Sequence, residues 1–67
     1  MQLHQLIRML SITSPAVVLD SNSIPICKVR SKIEIPLEIY EYNVVSLGSA
    51  LAGFLENKPC IYIIIDK

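Results

Sequence analysis

The C-terminal segment constrains the fold of this chain more than any other part of the sequence. Six consecutive apolar residues of high β-propensity precede Asp66 and Lys67: Cys60, Ile61, Tyr62, Ile63, Ile64 and Ile65. Such a run predicts a strand that is buried on both faces. Left exposed, the strand would be an aggregation hazard, so it needs neighbours on both sides, or helices on one face and a partner chain on the other.

The chain is too short to bury such a strand easily. With 67 residues it predicts one small domain, residues 1–67, and a domain of this size buries only about 60% of its unfolded surface. One core of this kind contributes roughly 3–5 kcal/mol, so small domains often need a disulfide, a metal or a partner subunit. Cys27 and Cys60 are the only cysteines, and their spacing is neither a disulfide framework nor a metal knuckle. Self-association is therefore the expected source of extra stability.

Composition excludes two classes of protein. The chain is 52% hydrophobic and 18% charged, which excludes a disordered tail. Its formal net charge is zero, which excludes a polycation that binds nucleic acid through bulk charge. The N-terminus lacks the pattern of a signal peptide, and no apolar stretch has the ~20 residues of a membrane-spanning helix. A cytoplasmic protein without membrane contact is expected.

The first half of the chain predicts a helix followed by a hairpin. Leu3, Leu6, Ile7 and Leu10 form one stripe of an α-helix. Residues 16–20 form a short segment rich in β-branched side chains and predict a strand. The polar residues 20–23 predict a turn. Residues 24–35 alternate between apolar and polar side chains, so they predict a second, half-buried strand.

The second half of the chain is less clear before its terminal strand. Residues 36–45 fit both a strand and the start of a long helix, and their aromatic and β-branched content favours a strand. From Ser46 the spacing of Leu47, Leu51 and Phe54 predicts a short second helix that ends near Asn57. The expected fold class is α+β: a small antiparallel or mixed sheet in the order α-β-β-(β)-α-β.

The segment LHQLIRML and the following SPAVVLDSNSIPICKV carry a resemblance to a group of known proteins. Over residues 3–35 the chain resembles short phage- and prophage-type α+β proteins of unassigned function, which begin with a Leu-rich helix and continue into a strand, a turn and a second strand. The resemblance implies an origin in a phage or other mobile element. It implies no activity.

No group of residues predicts catalysis or a cofactor. His4 is the only histidine, and Arg8, one helical turn away, does not suit it as a catalytic partner. The start of a calcium loop at Asp20 lacks the required Gly and Glu. Gly48 and Gly53 do not form a phosphate loop. Glu34, Glu38 and Glu41 are expected at the surface, and neither cysteine has the setting of a nucleophile. No catalytic, metal or cofactor site is expected.

Three basic residues form the candidate binding face. On a strand over residues 24–35, Lys28, Arg30 and Lys32 would share one side, as in a β-ribbon that enters a DNA groove. The carboxylates at Glu34, Glu38 and Glu41 cancel that charge, so a solvated face is favoured over a nucleic-acid site.

These patterns predict a small non-enzymatic domain that binds a protein, in a regulatory or host-interaction role, and that forms a homodimer. The candidate self-association strand consists of Ile61, Tyr62, Ile63, Ile64 and Ile65. Two alternatives remain open: a β-ribbon nucleic-acid-binding protein that uses Lys28, Arg30 and Lys32, and a structural subunit of a larger assembly.

Overall fold

The N-terminal helix forms where the apolar stripe predicts it. In a computed structural model that describes all residues 1–67, α1 spans Leu3–Met9 and buries Leu3, Leu6 and Ile7. The backbone N–H of Gln2 donates to Oε1 of Gln5 at 2.8 Å and so satisfies a donor at the start of the helix. A seven-residue helix is not stable alone, so its buried stripe must be held by the sheet.

Four strands form one mixed sheet, and the fold is α+β. The strands are β1 (Ala16–Leu19), β2 (Pro25–Val29), β3 (Val44–Ala52) and β4 (Lys58–Ile65). Their order across the sheet is β2-β1-β4-β3. β1 pairs antiparallel with β2 and parallel with β4, and β3 pairs antiparallel with β4. The strand predicted at the C-terminus is confirmed, with a neighbour on each side.

The predicted hairpin at β1 and β2 is confirmed, together with its turn. Oδ1 of Asp20 accepts hydrogen bonds from the backbone N–H groups of Asn22 and Ile24, at 2.9 and 3.0 Å. Short polar side chains stabilise turns in this way, by bonding to the backbone two residues on. Ser23 completes the turn in the left-handed conformation, with φ of 63°.

The second strand is shorter than predicted. It ends at Val29 because the Glu34 carboxylate accepts hydrogen bonds from the backbone N–H groups of Arg30 and Ser31, at 2.9 and 3.1 Å. The chain continues through two 3₁₀ turns, Lys32–Glu34 and Leu37–Ile39. The prediction of strand over residues 30–43 is therefore wrong.

The predicted second helix is also wrong, because residues 44–52 form β3. Each buried backbone group of β4 needs a hydrogen-bond partner, and β1 satisfies only the groups on one edge of that strand. Pairing with β3 satisfies the other edge. The only helical turn in this region is a 3₁₀ turn at Gly53–Leu55, so the element order is α-β-β-β-β.

Apolar side chains pack on both faces of the sheet. We call the side that α1 covers the helix face and the other side the open face. The larger core lies on the helix face and contains Leu3, Leu6, Ile7, Ala16, Val18, Val29, Ile35, Ile39, Ile63 and Ile65. The smaller core lies on the open face and contains Val17, Ala52, Leu55 and Cys60. The 3₁₀ turn at Gly53–Leu55 contributes to the smaller core.

Candidate protein-binding edge

The predicted basic face is not assembled. Lys28 lies on β2 with an exposed side chain, whereas Arg30 and Lys32 follow the end of that strand. Nη2 of Arg30 donates to the backbone carbonyl of Phe54 at 3.1 Å. The three cations therefore do not share one side of a strand, because the backbone leaves the extended conformation between them.

Lys32 binds the end of α1. Its Nζ donates to the backbone carbonyls of Ile7 and Leu10, at 2.9 and 2.7 Å. The last carbonyls of a helix have no partner within the helix and carry the negative end of its dipole. Lys32 thus acts within the fold as a C-terminal cap, and its side chain is half-buried.

The predicted self-association strand lies inside the sheet. β1 and β3 occupy both of its backbone edges. Ile63 and Ile65 are 0% exposed on the helix face, and Ile61 packs partly against the same core. Tyr62 and Ile64 are half-buried on the open face. The backbone of β4 therefore has no edge left for pairing with another chain.

The two outer strands differ in how their edges are protected. β2 has five residues, begins with Pro25 and exposes Lys28. Short length, proline and lysine are the features by which natural sheets prevent pairing at an edge. β3 has nine residues, VVSLGSALA, without a charge or a proline. Its side chains are exposed from Val45 to Leu51.

Leucine side chains make the β3 edge apolar. Leu47 is 53% exposed and Leu51 is 65% exposed. Leu47 lies opposite Ile63 in the ladder, so its side chain is on the helix face, and Leu51 follows it there by strand alternation. Both leucines extend the apolar helix face outward, beyond the buried core.

Alternation along the strands identifies the backbone groups that point away from the sheet at β3. The N–H of Ile61 donates to the carbonyl of Pro15, so Ile61 and Ile63 direct their backbone groups toward β1. Tyr62 and Cys60 then bond toward β3, where they lie opposite Gly48 and Ala50. The intervening residues of β3, Leu47, Ser49 and Leu51, direct their N–H and carbonyl groups outward.

The free part of this edge begins after Val44. Gln2 forms an antiparallel bridge to Asn43, the N–H of Val44 donates to the carbonyl of Met1 at 2.7 Å, and the N–H of Leu3 donates to the carbonyl of Tyr42 at 2.8 Å. Residues 1–3 thus already pair with this side of the chain just ahead of the free edge. At its other end the edge stops at Ala52, where the 3₁₀ turn begins.

Nothing in its own chain requires glycine at position 48. A Cβ atom at this position would meet no atom within 4 Å, and its φ is not positive. Glycine within a strand often marks a place where another backbone or a ligand comes close. With Ser46 and Ala50 it leaves the open face flat along β3.

The two cysteines lie on opposite faces of the sheet. Cys27 packs against the larger core and Cys60 belongs to the smaller one, so they do not face each other. Burial raises the pKa of both thiols, and for Cys27 a smaller opposing effect comes from a hydrogen bond with the backbone of Val18. A raised pKa keeps a thiol protonated and therefore weakly nucleophilic.

The remaining polar residues are dispersed. Nε2 of His4 lies 2.7 Å from Oε1 of Gln2. The structure has no cluster of three or more His, Cys, Asp or Glu side chains suited to a metal, and no cavity. None of its helices combines the length and apolar character needed to cross a membrane.

Sequence reasoning placed the partner site on Lys28, Arg30 and Lys32 or on β4 and missed β3. One signal points to it: the chain carries no charge between Glu41 and Glu56.

No family model, curated protein or solved structure matches the chain. The candidate site is therefore defined by its geometry.

Proposed function

We propose that the chain is a non-enzymatic protein-binding domain that binds an extended segment of a partner at the β3 edge. The observation that carries this proposal is the row of outward backbone groups at Leu47, Ser49 and Leu51 on a strand without charge or proline. Such an edge accepts a further strand, whose main-chain hydrogen bonds give affinity while side-chain contacts give specificity.

The state of the reactive side chains and the apolar surface of β3 both support binding over catalysis. His4 contacts a glutamine, and both thiols have a raised pKa. The exposed leucines at positions 47 and 51 suit a partner segment with apolar side chains at alternate positions. A regulatory or host-interaction role, an origin in a phage or other mobile element and a cytoplasmic location complete the proposal. Free cysteines are compatible with a reducing compartment.

This geometry does not support the nucleic-acid alternative. It requires Lys28, Arg30 and Lys32 on one side of a ribbon, and Lys32 instead caps α1. The structural-subunit alternative uses the same β3 edge and differs only in the identity of the partner.

A peptide-display experiment tests the proposal. A library of random nine-residue peptides is selected against the wild-type chain and against Ser49→Pro and Ser49→Thr variants. Proline removes an outward N–H without removing a bond to β4, so the fold should persist while pairing at the edge is blocked. Threonine keeps the N–H and favours a strand, so it serves as the matched control.

The expected result is enrichment of peptides with alternating apolar residues that bind wild type and Ser49→Thr but not Ser49→Pro. Amide chemical-shift changes should concentrate on Leu47, Ser49 and Leu51. Circular dichroism first checks that each variant is folded, and Leu47→Lys replaces Ser49→Pro if proline unfolds the chain. Equal enrichment on wild type and a folded edge variant, or shifts confined to β2, would overturn the proposal.

A further inference from the structure

We infer that the partner segment at the β3 edge is β3 of a second copy of this chain, paired antiparallel with Ser49 opposite Ser49 on a two-fold axis. This inference rests on the proposed function, because it names the occupant of the same edge. It differs from a general peptide-binding role in requiring one register and a symmetric dimer.

Backbone complementarity favours a second copy. In an antiparallel pair, residues directly opposite each other alternate between hydrogen-bonded and non-hydrogen-bonded positions. With Ser49 on the axis, Leu47 of each copy lies opposite Leu51 of the other. All three residues have outward groups, so every one of them lies opposite another residue with outward groups. The edge is therefore complementary to itself.

Side-chain placement supports the same register. Leu47 and Leu51 lie on the helix face, so this alignment brings the leucines of the two copies together across the axis. Residues directly opposite in an antiparallel pair contact each other on one face. The contact would cover side chains that are 53% and 65% exposed in the single chain. Each copy thereby extends the helix-face core of the other.

The bound N-terminal segment disfavours the register that is centred on Gly48. If Gly48 lay on the axis, Ala52 of one copy would lie opposite Val44 of the other. That position is already taken, because Val44 donates its N–H to the carbonyl of Met1 at 2.7 Å. With Ser49 on the axis, Ala52 lies opposite Ser46, and the partner chain turns away at Gly53 before it reaches Met1.

Charge also favours a second copy. β3 has no charged residue, so two copies approach without repulsion between like charges on the paired strands. An acidic or basic partner segment would find no opposite charge on β3 itself. An uncharged apolar strand is the complementary occupant, and β3 is such a strand. Gly48 lies opposite Ala50 in this register, so no bulky side chain on the open face separates the two strands there.

Sedimentation velocity tests the dimer. Wild type and Ser49→Thr should show a reversible dimer at micromolar concentration, and Ser49→Pro should raise the dissociation constant by about tenfold or more, because both hydrogen bonds between the Ser49 backbones of the two copies are lost. Leu47→Lys should act in the same direction, because it places a charge against the apolar Leu51 of the other copy. A wild-type chain that remains monomeric up to millimolar concentration would overturn the inference.

Disulfide trapping tests the register, with Cys27→Ser and Cys60→Ala introduced first to remove the native thiols. Gly48 and Ala50 would form a non-hydrogen-bonded pair, in which the Cα atoms lie about 4.5 Å apart, within the range of a disulfide. Gly48→Cys mixed with Ala50→Cys should give a mixed dimer under mild oxidation, identified by its mass. Either variant alone should give about tenfold less.

The outcomes separate this inference from the proposed function. Efficient trapping of Gly48→Cys alone would place Gly48 on the axis and overturn the Ser49 register. Selected peptides that bind β3 of a strictly monomeric chain would overturn the dimer and leave the proposed function intact. A monomer that binds no peptide at this edge would overturn both.

Discussion

At the scale of single residues, Lys32 has a different role in the structure from the one its sequence pattern predicts. In the sequence it is one of three alternating cations that resemble a solvated or nucleic-acid-binding face. In the fold its ammonium group bonds two carbonyl groups at the end of α1 and joins the helix to the 3₁₀ turn that contains it. A short helix depends on such contacts because its own hydrogen bonds are too few to hold it.

Lys32→Met tests this role. Methionine keeps the length of the side chain but removes the charge and both hydrogen bonds, so the free energy of unfolding should fall by about 1–2 kcal/mol. Lys28→Met is the matched control, since Lys28 is exposed on β2, and its effect should stay within about 0.5 kcal/mol. Urea unfolding followed by circular dichroism measures both. Equal effects for the two variants would contradict the capping role.

The buried thiol of Cys60 predicts a dependence of stability on alkaline pH. Burial raises its pKa above the ordinary value of 9.0, so the unfolded chain loses this proton first as pH rises. The folded state then holds more protons, and the contribution to stability is full below the unfolded pKa and is lost as pH rises through the folded pKa.

The free energy of unfolding of the wild type should therefore fall more steeply above about pH 9 than that of Cys60→Ala. Urea unfolding at intervals from pH 7 to about pH 10.5 gives both curves, and the comparison concerns their slopes, because alanine also changes packing. Every other side chain, Cys27 included, is the same in both proteins, so only the Cys60 thiol contributes to the difference. Parallel curves would show that Cys60 does not contribute.

At the scale of elements, β3 and β4 have opposite roles although they pair along their length. β4 is central, and Ile63 is 0% exposed between two neighbouring strands. β3 is an outer strand, and Leu47, the residue opposite Ile63, is 53% exposed on the same face. Leu47 and Ile63 lie opposite each other, but a charged substitution at Ile63 should lower the free energy of unfolding far more than one at Leu47.

The pair Ile63→Asp and Leu47→Asp tests this difference. A carboxylate at Ile63 would be buried without a partner at a cost of several kcal/mol, which exceeds the stability expected of so small a domain. That variant should be unfolded or insoluble. Leu47→Asp should fold with the circular dichroism of the wild type, because its carboxylate remains in water when the β3 edge is unpaired. A folded Ile63→Asp variant would show that β4 is not central.

The elements that could be predicted from the sequence are those with one strong local signal. The stripe of Leu3, Leu6 and Ile7 predicts α1, and the apolar run of residues 60–65 predicts the terminal strand. In both elements the apolar pattern marks side chains that the chain buries within its own fold. The strand at Val44–Ala52 lacks this signal, because seven consecutive residues are exposed, and its Leu47 and Leu51 are spaced as in a helix. Pairing with β4, a distant contact, determines its structure.

The candidate site was missed for a related reason. A free edge is a property of strand order, and strand order depends on which strands lie beside β4 rather than on any local pattern. The prediction of a basic binding face was wrong because the alternation through Arg30 and Lys32 suggested a longer strand. The hydrogen bonds of Glu34 end that strand at Val29. Only the absence of charge between Glu41 and Glu56 was visible in advance.

At the scale of the whole molecule, the sheet divides its apolar residues between two small cores. Ten buried residues lie on the helix face and four on the open face. Neither core is large, and nine large hydrophobic side chains are exposed, among them Val45, Leu47 and Leu51 on one outer strand. A dimer through β3 would extend the sheet across both copies and bury part of this surface, which a domain of 67 residues cannot do alone.

Association of this kind links stability to protein concentration. When only the folded chain dimerises, a higher concentration shifts the equilibrium toward the folded dimer and raises the thermal midpoint. The midpoint of the wild type should therefore rise by a few degrees for each tenfold increase in concentration, since about 1 kcal/mol shifts the midpoint of a domain this small by about 4–8 °C. Ser49→Pro should show a smaller rise over the same range of concentration, because its dimer is weaker, and Ser49→Thr should follow the wild type. Differential scanning calorimetry across a hundredfold range of concentration measures all three, with a reversible second scan as the control for aggregation. A wild-type midpoint that stays constant over that range would show that folding and association are not coupled, and the β3 edge would then remain unpaired in the free protein.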